Sequence, residues 1–192
     1  MQSTINMFSV KVDRFRLTNI DNDMLVNYAL DIKNDTNFML RNAFEKSWQS
    51  DRKIHELNKF KSFYSIVEDK INQVYRASYS KNYKVKISSG WCSVNTPFDI
   101  TIPHIHKESF LSAVYYPHAN NEELSFLTPI PEMLWSINTR HVEKYDEYNS
   151  VYWSEIVNTG DLLIFNSMLW HFIKPSEKQR ISFAVDTVIE NN

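Results

Sequence analysis

A chain of 192 residues with 43% hydrophobic and 14% aromatic content has ample material for a packed core. Its net charge of −2, from 21 basic and 23 acidic side chains, offers no general attraction to phosphate backbones or anionic membranes, so neither nucleic acid nor membrane is expected as a partner. Cys92 is the only cysteine and Gly90 and Gly160 the only glycines, which excludes an internal disulfide, multi-cysteine metal clusters and glycine-rich phosphate loops.

Residues 5–17 alternate apolar and polar side chains and read as an outer strand with one buried face. Asp21-Asn-Asp23 then supplies an acidic first turn, and Met24, Leu25, Tyr28, Ala29 and Ile32 recur at helical spacing. Residues 35–52 are polar and irregular, and Trp48 is expected to pin this loop to the body. Ile54, Leu57, Phe60, Tyr64, Val67, Ile71 and Val74 step by three and four, which predicts a long helix from about Asp51 to Ser80. The lysines and arginine on its polar side are diluted by Glu56, Glu68 and Asp69, the pattern of a solvated face.

Beyond Tyr83 the periodicity changes to two. Strands are expected at 84–88, 91–94, 100–106, 110–116, 124–127, 133–137, 151–153, 162–165 and 180–186, separated by proline-containing or charged turns such as Asn158-Thr-Gly-Asp161. Short strands in this number, fronted by helices, predict a mainly β jelly roll. One domain over residues 1–192 is expected, with helical support at about 20–80 and the jelly-roll core at about 83–190. No apolar run reaches the ~20 residues of a membrane span, and the first residues lack the regions of a secretory signal, so a cytoplasmic location is expected.

His104 and His106 are one residue apart, and side chains two apart on an extended strand share a face, so both imidazoles can address one point. By itself that spacing is weak evidence for a metal. A third candidate, His171, follows 65 residues later, and Arg180-Ile-Ser182 comes nine residues after that. Arg180 and Ser182 face one way on their strand, and an arginine fork with a neighbouring hydroxyl is suited to gripping a carboxylate. His118 and His141 lie in polar turns and read as exposed, and His55 has no partner at ligand spacing. Trp135, Trp153, Trp170, Tyr115 and Tyr116 are aromatic candidates for a cleft wall, although strand aromatics more often belong to a core.

These residues resemble the double-stranded β-helix of 2-oxoglutarate- and iron(II)-dependent oxygenases, whose pattern is His-x-Asp/Glu, a distal His and Arg-x-Ser. The resemblance is stronger to a branch of such proteins in marine bacteria and tailed phages, over about residues 40 to 187. Its motif of roughly His-x-His-Pro-x-Ser-x-Leu-Ser-Gly-Val-Tyr-Tyr is met by His104-Ile-His106-Lys-Glu-Ser-Phe-Leu-Ser-Ala113-Val-Tyr-Tyr116. Its Leu-x-Phe-Pro-Ser-x-Leu-x-His is met by Leu163-Ile-Phe-Asn166-Ser-Met-Leu-Trp-His171, and its Arg-Ile-Ser region by Arg180-Ile-Ser-Phe-Ala-Val-Asp186. Ser47-Trp-Gln-Ser50 echoes the branch's Gly-Trp-Gln-Ser. The chain departs from it at Ala113 and Asn166, and from the broader superfamily at His106, where that pattern has a carboxylate.

The resemblance implies a cupin-like jelly roll that uses Fe(II), 2-oxoglutarate and O2 to hydroxylate a small-molecule or peptide substrate, with decarboxylation of 2-oxoglutarate to succinate. It implies His104, His106 and His171 as metal ligands, either all three directly or with one supporting the others, and Glu108 as the nearest carboxylate that could substitute. Arg180, Ser182 and Tyr115 are implied for the co-substrate. For a phage-encoded chain the cytoplasm is the host's, and a homodimer is among the oligomeric states left open. Two other readings stay open at this point: a three-histidine cupin-like dioxygenase that uses no keto acid, and a non-enzymatic jelly-roll binding or structural protein.

Overall fold

The computed structural model describes residues 9–34, 47–130, 142–146 and 149–191. In chain order the elements are β1 (Val12–Arg16), α1 (Asn22–Asn34), β2 (Trp48–Gln49), α2 (Lys61–Ser78), β3 (Tyr83–Asn95), β4 (Thr101–His104), β5 (Leu111–His118), β6 (Glu122–Leu127), β7 (Tyr152–Val157), β8 (Asp161–Asn166), β9 (His171–Ile173) and β10 (Arg180–Asn191). They form a six-stranded sheet in the order β1-β8-β5-β10-β3-β2 and a four-stranded sheet in the order β4-β9-β6-β7, with every ladder antiparallel. The expected strand at 133–137, Trp135 and His141 lie outside the described residues.

The large sheet is covered on both faces, so its strands are apolar on one side and mixed on the other. Leu111, Ala113 and Tyr115 of β5, Leu162 and Ile164 of β8, and Ile181, Phe183 and Val185 of β10 turn outward to the helices. They meet Leu25 and Ala29 of α1 and Phe63, Tyr64, Val67, Ile71, Val74 and Tyr75 of α2. The alternate residues, among them Val114, Tyr116, Leu163, Phe165 and Ala184, turn inward and pack with Leu124 and Phe126 of the small sheet. One set of strands therefore builds two separate cores.

Helix α1 begins where the sequence predicts, with the Asp21 carboxylate accepting the Met24 N–H at 2.9 Å. The long helix does not. It starts at Lys61, and residues 54–60 form two short 3-10 turns instead. The reason is the neighbouring sheet: Arg52 O accepts the Gly90 N–H at 3.0 Å and Lys53 bridges to Gly90, so the chain here is spent on β3 rather than on helical hydrogen bonds. Leu57 is left exposed as a result. Once under way, α2 is tied to β3 by Asn72, whose carboxamide exchanges hydrogen bonds with both Val85 N–H and Val85 C=O.

The two strands expected at 84–88 and 91–94 are one strand, β3, carrying an irregularity in its middle. Asp186 pairs with Ser89 while Thr187 pairs with Ile87, leaving Ser88 as an extra residue. A bulge of this kind reverses the alternation. Before it Val85 and Ile87 face the helices; after it Cys92 and Val94 do, and Trp91, Ser93 and Asn95 face the interior between the sheets. Gly90, just past the bulge, is a close-approach position, because an added Cβ would lie 2.9 Å from the Cβ of His55. No described helix is long and apolar enough to cross a membrane.

Candidate metal centre

His104 ends β4 and stands directly opposite His171, which opens β9. Cross-strand partners project to the same side, and the two imidazole centroids lie 4.3 Å apart. His106 falls just beyond the end of β4, not on it, so shared strand alternation does not align it with His104. It is placed instead by its backbone N–H, which donates to Ser167 O at 2.9 Å. Its ring lies 5.2 Å from that of His104 and 5.0 Å from that of His171. Ligand nitrogens from the three residues lie within 4.8 Å of one another, so they could hold one metal ion.

The hydrogen bonds around the rings fix which nitrogens are free. Nδ1 of His104 lies 2.9 Å from Ile102 O, and Nδ1 of His171 lies 2.9 Å from Leu169 O. A carbonyl can only accept, so each Nδ1 carries the proton and each Nε2 keeps a lone pair. Nδ1 of His106 is engaged by the carboxylate of Asp186, and its Nε2 is buried without a hydrogen-bond partner. Three basic nitrogens converging, one of them an orphan in the interior, is the donor set that suits a divalent transition metal. Burial, then the neighbouring His104, pushes the pKa of His171 down to about 3, and burial also lowers that of His104. Both are neutral, ligand-ready imidazoles at ordinary pH.

The carboxylate nearest the histidines is Asp186, not Glu108. Strand β10 carries it on the inward face, in step with Arg180, Ser182 and Ala184. Its Oδ1 also accepts from the Ser112 hydroxyl at 3.0 Å, and its Oδ2 from Arg52 at 3.1 Å. Burial raises its pKa, but hydrogen bonding and attraction from His106, the Ser112 hydroxyl and Arg52 outweigh that and hold it below the usual range. The Arg52 guanidinium stacks 4.2 Å over Trp91, and Trp91 in turn lies 5.4 Å from the His106 ring. The Ser112 and Ser167 hydroxyl oxygens lie 2.8 Å apart, and those of Ser167 and Ser109 2.9 Å apart, a row of hydroxyls behind the carboxylate.

Arg180 is 2% exposed, one of the most deeply buried large side chains in the protein. Its Nη1 donates to Glu123 O at 2.9 Å, its Nε has no partner, and no carboxylate pairs with it among the described residues. Burial lowers its pKa, with Tyr116 and Glu122 opposing. Around it on the inward face stand Ser182, Asn95 directly opposite on β3, and Ser93 opposite Ser182. The Asn95 carboxamide and the Tyr116 hydroxyl are buried without hydrogen-bond partners. Among the described residues these buried polar groups lack partners, and a guanidinium in such a place suits an anion.

Tyr115, expected in the co-substrate pocket, is turned away from it. Its hydroxyl donates to Asn22 Oδ1 of α1 at 2.6 Å and its ring packs against Phe63, on the helix side of the sheet. The tyrosine on the inward face is Tyr116, one step along the same strand. His118 is exposed and His55 half-buried against Tyr64. Trp153 and Trp170 are exposed rather than core residues. Burial raises the Cys92 thiol to about 12, which removes it as a nucleophile.

Two antiparallel sheets thus enclose converging imidazoles that could hold a metal ion and a buried cation that could take an anion. The sequence profile of the family described as "Putative 2OG-Fe(II) oxygenase" matches residues 89–186, and the chain belongs to that family. No curated protein sequence matches the chain. Among solved structures it is similar to a prolyl-4-hydroxylase of Pseudomonas putida, at 9% identity over 93% of this chain and 92% of that one, with a TM-score of 0.65. It is also similar to SnoK, a non-haem alpha-ketoglutarate-dependent carbocyclase from nogalamycin biosynthesis, at 10% identity over 93% and 79%, with a TM-score of 0.68. A third, HygX from Streptomyces hygroscopicus with nickel and 2-oxoglutarate bound, has 10% identity over 93% and 82% and a TM-score of 0.59. At such identities the likeness is one of fold, the double-stranded β-helix. Family membership makes the protein a 2-oxoglutarate- and Fe(II)-dependent oxygenase. The keto-acid-independent and non-enzymatic alternatives give way to that assignment.

Proposed function

We propose that His104, His106 and His171 are the iron ligands, and that Arg180 anchors the distal carboxylate of 2-oxoglutarate with help from Ser182 and Tyr116. The observation that carries this reading is the buried guanidinium of Arg180, without a carboxylate partner among the described residues, on the inward face that the histidines border. An isolated buried charge is expensive, and a dianionic ligand that brings its own carboxylate removes the expense. Iron(II), when bound, supplies the redox chemistry that couples oxidation of a substrate C–H bond by O2 to decarboxylation of 2-oxoglutarate.

The chain's own residues bind, orient and exclude water. The Ile102 and Leu169 carbonyls hold the rings of His104 and His171 with their Nε2 atoms presented inward. Arg180 and the Tyr116 hydroxyl set the depth at which the co-substrate sits. Phe126 and Phe165, whose rings lie 6.3 and 4.9 Å from that of His171, keep the surroundings apolar and dry. The substrate is a small molecule or a peptide, approaching a mouth where Trp170, next to His171, and Ile102, two residues before His104, are exposed.

Calorimetric titration of 2-oxoglutarate into the nickel(II)-loaded protein tests the reading. Arg180→Ala breaks a buried ion pair worth about 3–5 kcal/mol, so affinity falls by two to nearly four orders of magnitude. Arg180→Lys recovers only part, because a point charge does not reproduce the fork. Nickel content stays unchanged. Equal affinity in wild type and Arg180→Ala removes this arginine from the co-substrate site.

A further inference from the structure

We infer that Asp186, acting through His106, delivers to the metal the negative charge that a ligating Asp or Glu gives in the His-x-Asp/Glu pattern. The inference rests on the reading of the three histidines as ligands. The three rings are not held alike: Nδ1 of His104 and of His171 meet neutral backbone carbonyls, whereas Nδ1 of His106 meets a carboxylate. The ring treated differently is the one that stands where the pattern has its carboxylate.

That carboxylate is built in rather than incidental. Asp186 is 8% exposed, and besides His106 its oxygens accept from Ser112 and Arg52, with the Ser89 hydroxyl at 3.5 Å. Donors on both oxygens keep it ionised and fixed in orientation. The Ser112 hydroxyl also lies 3.2 Å from Nδ1 of His106, closing a triangle of imidazole, hydroxyl and carboxylate. The bulge between Asp186 and Thr187 gives this residue its place, since it brings Ser88 and Ser89 against Asp186.

The chemical consequence follows from the hydrogen bond. An imidazole whose Nδ1–H is held by a carboxylate is a stronger electron donor through Nε2 than one held by a carbonyl, and it brings part of the anion's charge to the metal. Three neutral imidazoles alone leave the centre more positive by one charge than two imidazoles and a carboxylate. Asp186 offsets that difference from one residue further out, which makes it a positioning and charge-donating residue, not a ligand.

Cobalt(II) titration of the metal-free protein tests this, followed by calorimetry and by the visible absorption bands of the bound ion. Asp186→Asn keeps an acceptor for Nδ1–H but removes the charge. Cobalt affinity is expected to fall about 10- to 100-fold, with shifted bands, and Asp186→Glu to recover part of the loss. Unchanged affinity and bands in Asp186→Asn overturn the inference. Where Asp186→Asn does not fold, Arg52→Gln serves, since that side chain is half exposed. Freeing Oδ2 concentrates charge on the His106 side, so the bands shift the opposite way and affinity rises; an unchanged spectrum overturns the inference. Cobalt binding that is absent in wild type, or indifferent to His104→Ala, instead overturns the three-histidine reading on which it stands.

Discussion

The two faces of the large sheet use the same strands for opposite ends. On β10, Ile181, Phe183 and Val185 enter a closed apolar core with the helices, while Arg180, Ser182 and Asp186 between them enter an interior of charges, hydroxyls and unpartnered polar atoms. On the helix side the aromatic rings interlock: Phe183 meets Phe60 at 5.9 Å and Phe63 at 5.7 Å, both edge to face. On the inner side Arg180 and Asn95 keep buried donors unmet. Alternation with a period of two thus lets one strand be a structural support on one face and a binding surface on the other, and substitutions one residue apart should separate stability from binding.

The largest effect expected from that contrast is at Phe183. Its side chain is 1% exposed, and Phe183→Ala removes a buried ring at a loss of about 3–5 kcal/mol, read as a lower midpoint in urea denaturation. Arg180→Ala, three residues earlier on the opposite face, removes a buried charge that lacks an ionic partner among the described residues, so its effect on stability without ligand is expected to be much smaller. Comparable destabilisation by the two would erase the distinction between the faces.

Gly90 joins the two regions. Its N–H ties the Arg52 segment to β3, and an added methyl meets the Cβ of His55 at 2.9 Å and the Tyr64 hydroxyl at 3.2 Å. A Cβ cannot swing aside as a side-chain tip can, so Gly90→Ala forces the 3-10 turns outward, at about 1–3 kcal/mol for an overpacked site. Arg52 moves with them and loses its grip on Asp186. Denaturation and cobalt titration should therefore both respond, whereas Phe183→Ala should shift denaturation alone.

Much of this was legible in the sequence because it rests on local periodicity. The strand alternation and helix α1 follow from spacings, whereas the meeting of His104, His106 and His171 is expected from the family resemblance and from a shared strand that His106 does not in fact occupy. What escaped depends on pairings that no local pattern encodes. The helix predicted from Asp51 fails because Arg52 and Lys53 pair with Gly90, a residue far along the chain on β3. The bulge at Ser88 is silent in a run of small polar residues. Asp186 was in view as the end of the Arg-x-Ser stretch, an even number of residues from Arg180 and so on its face, yet only the fold shows which histidine it meets. Glu108 was nearer in sequence and is not that partner.

The smallest expected effect is also the cleanest, because it compares adjacent residues of one type. Which tyrosine of Tyr115-Tyr116 faces inward depends on the register of β5, which places Tyr115 opposite Phe183 on β10 and so on the helix side. The Tyr115 hydroxyl donates to the half-buried Asn22 at the start of α1, and Tyr115→Phe loses that bond for about 0.5–1.5 kcal/mol of stability, with 2-oxoglutarate affinity unchanged. The Tyr116 hydroxyl has no partner among the described residues, and burial pushes its pKa up to about 12 against the pull of Arg180, so it remains a donor across the working pH range. Tyr116→Phe deletes an unsatisfied group, which leaves stability level or slightly higher. If that hydroxyl donates to the co-substrate carboxylate, the variant loses a hydrogen bond to a charged group, about 1.5–3 kcal/mol, and calorimetry reads a tenfold or greater drop in 2-oxoglutarate affinity. The reverse outcome, affinity lost at Tyr115 and kept at Tyr116, contradicts the register from which the inward face is defined.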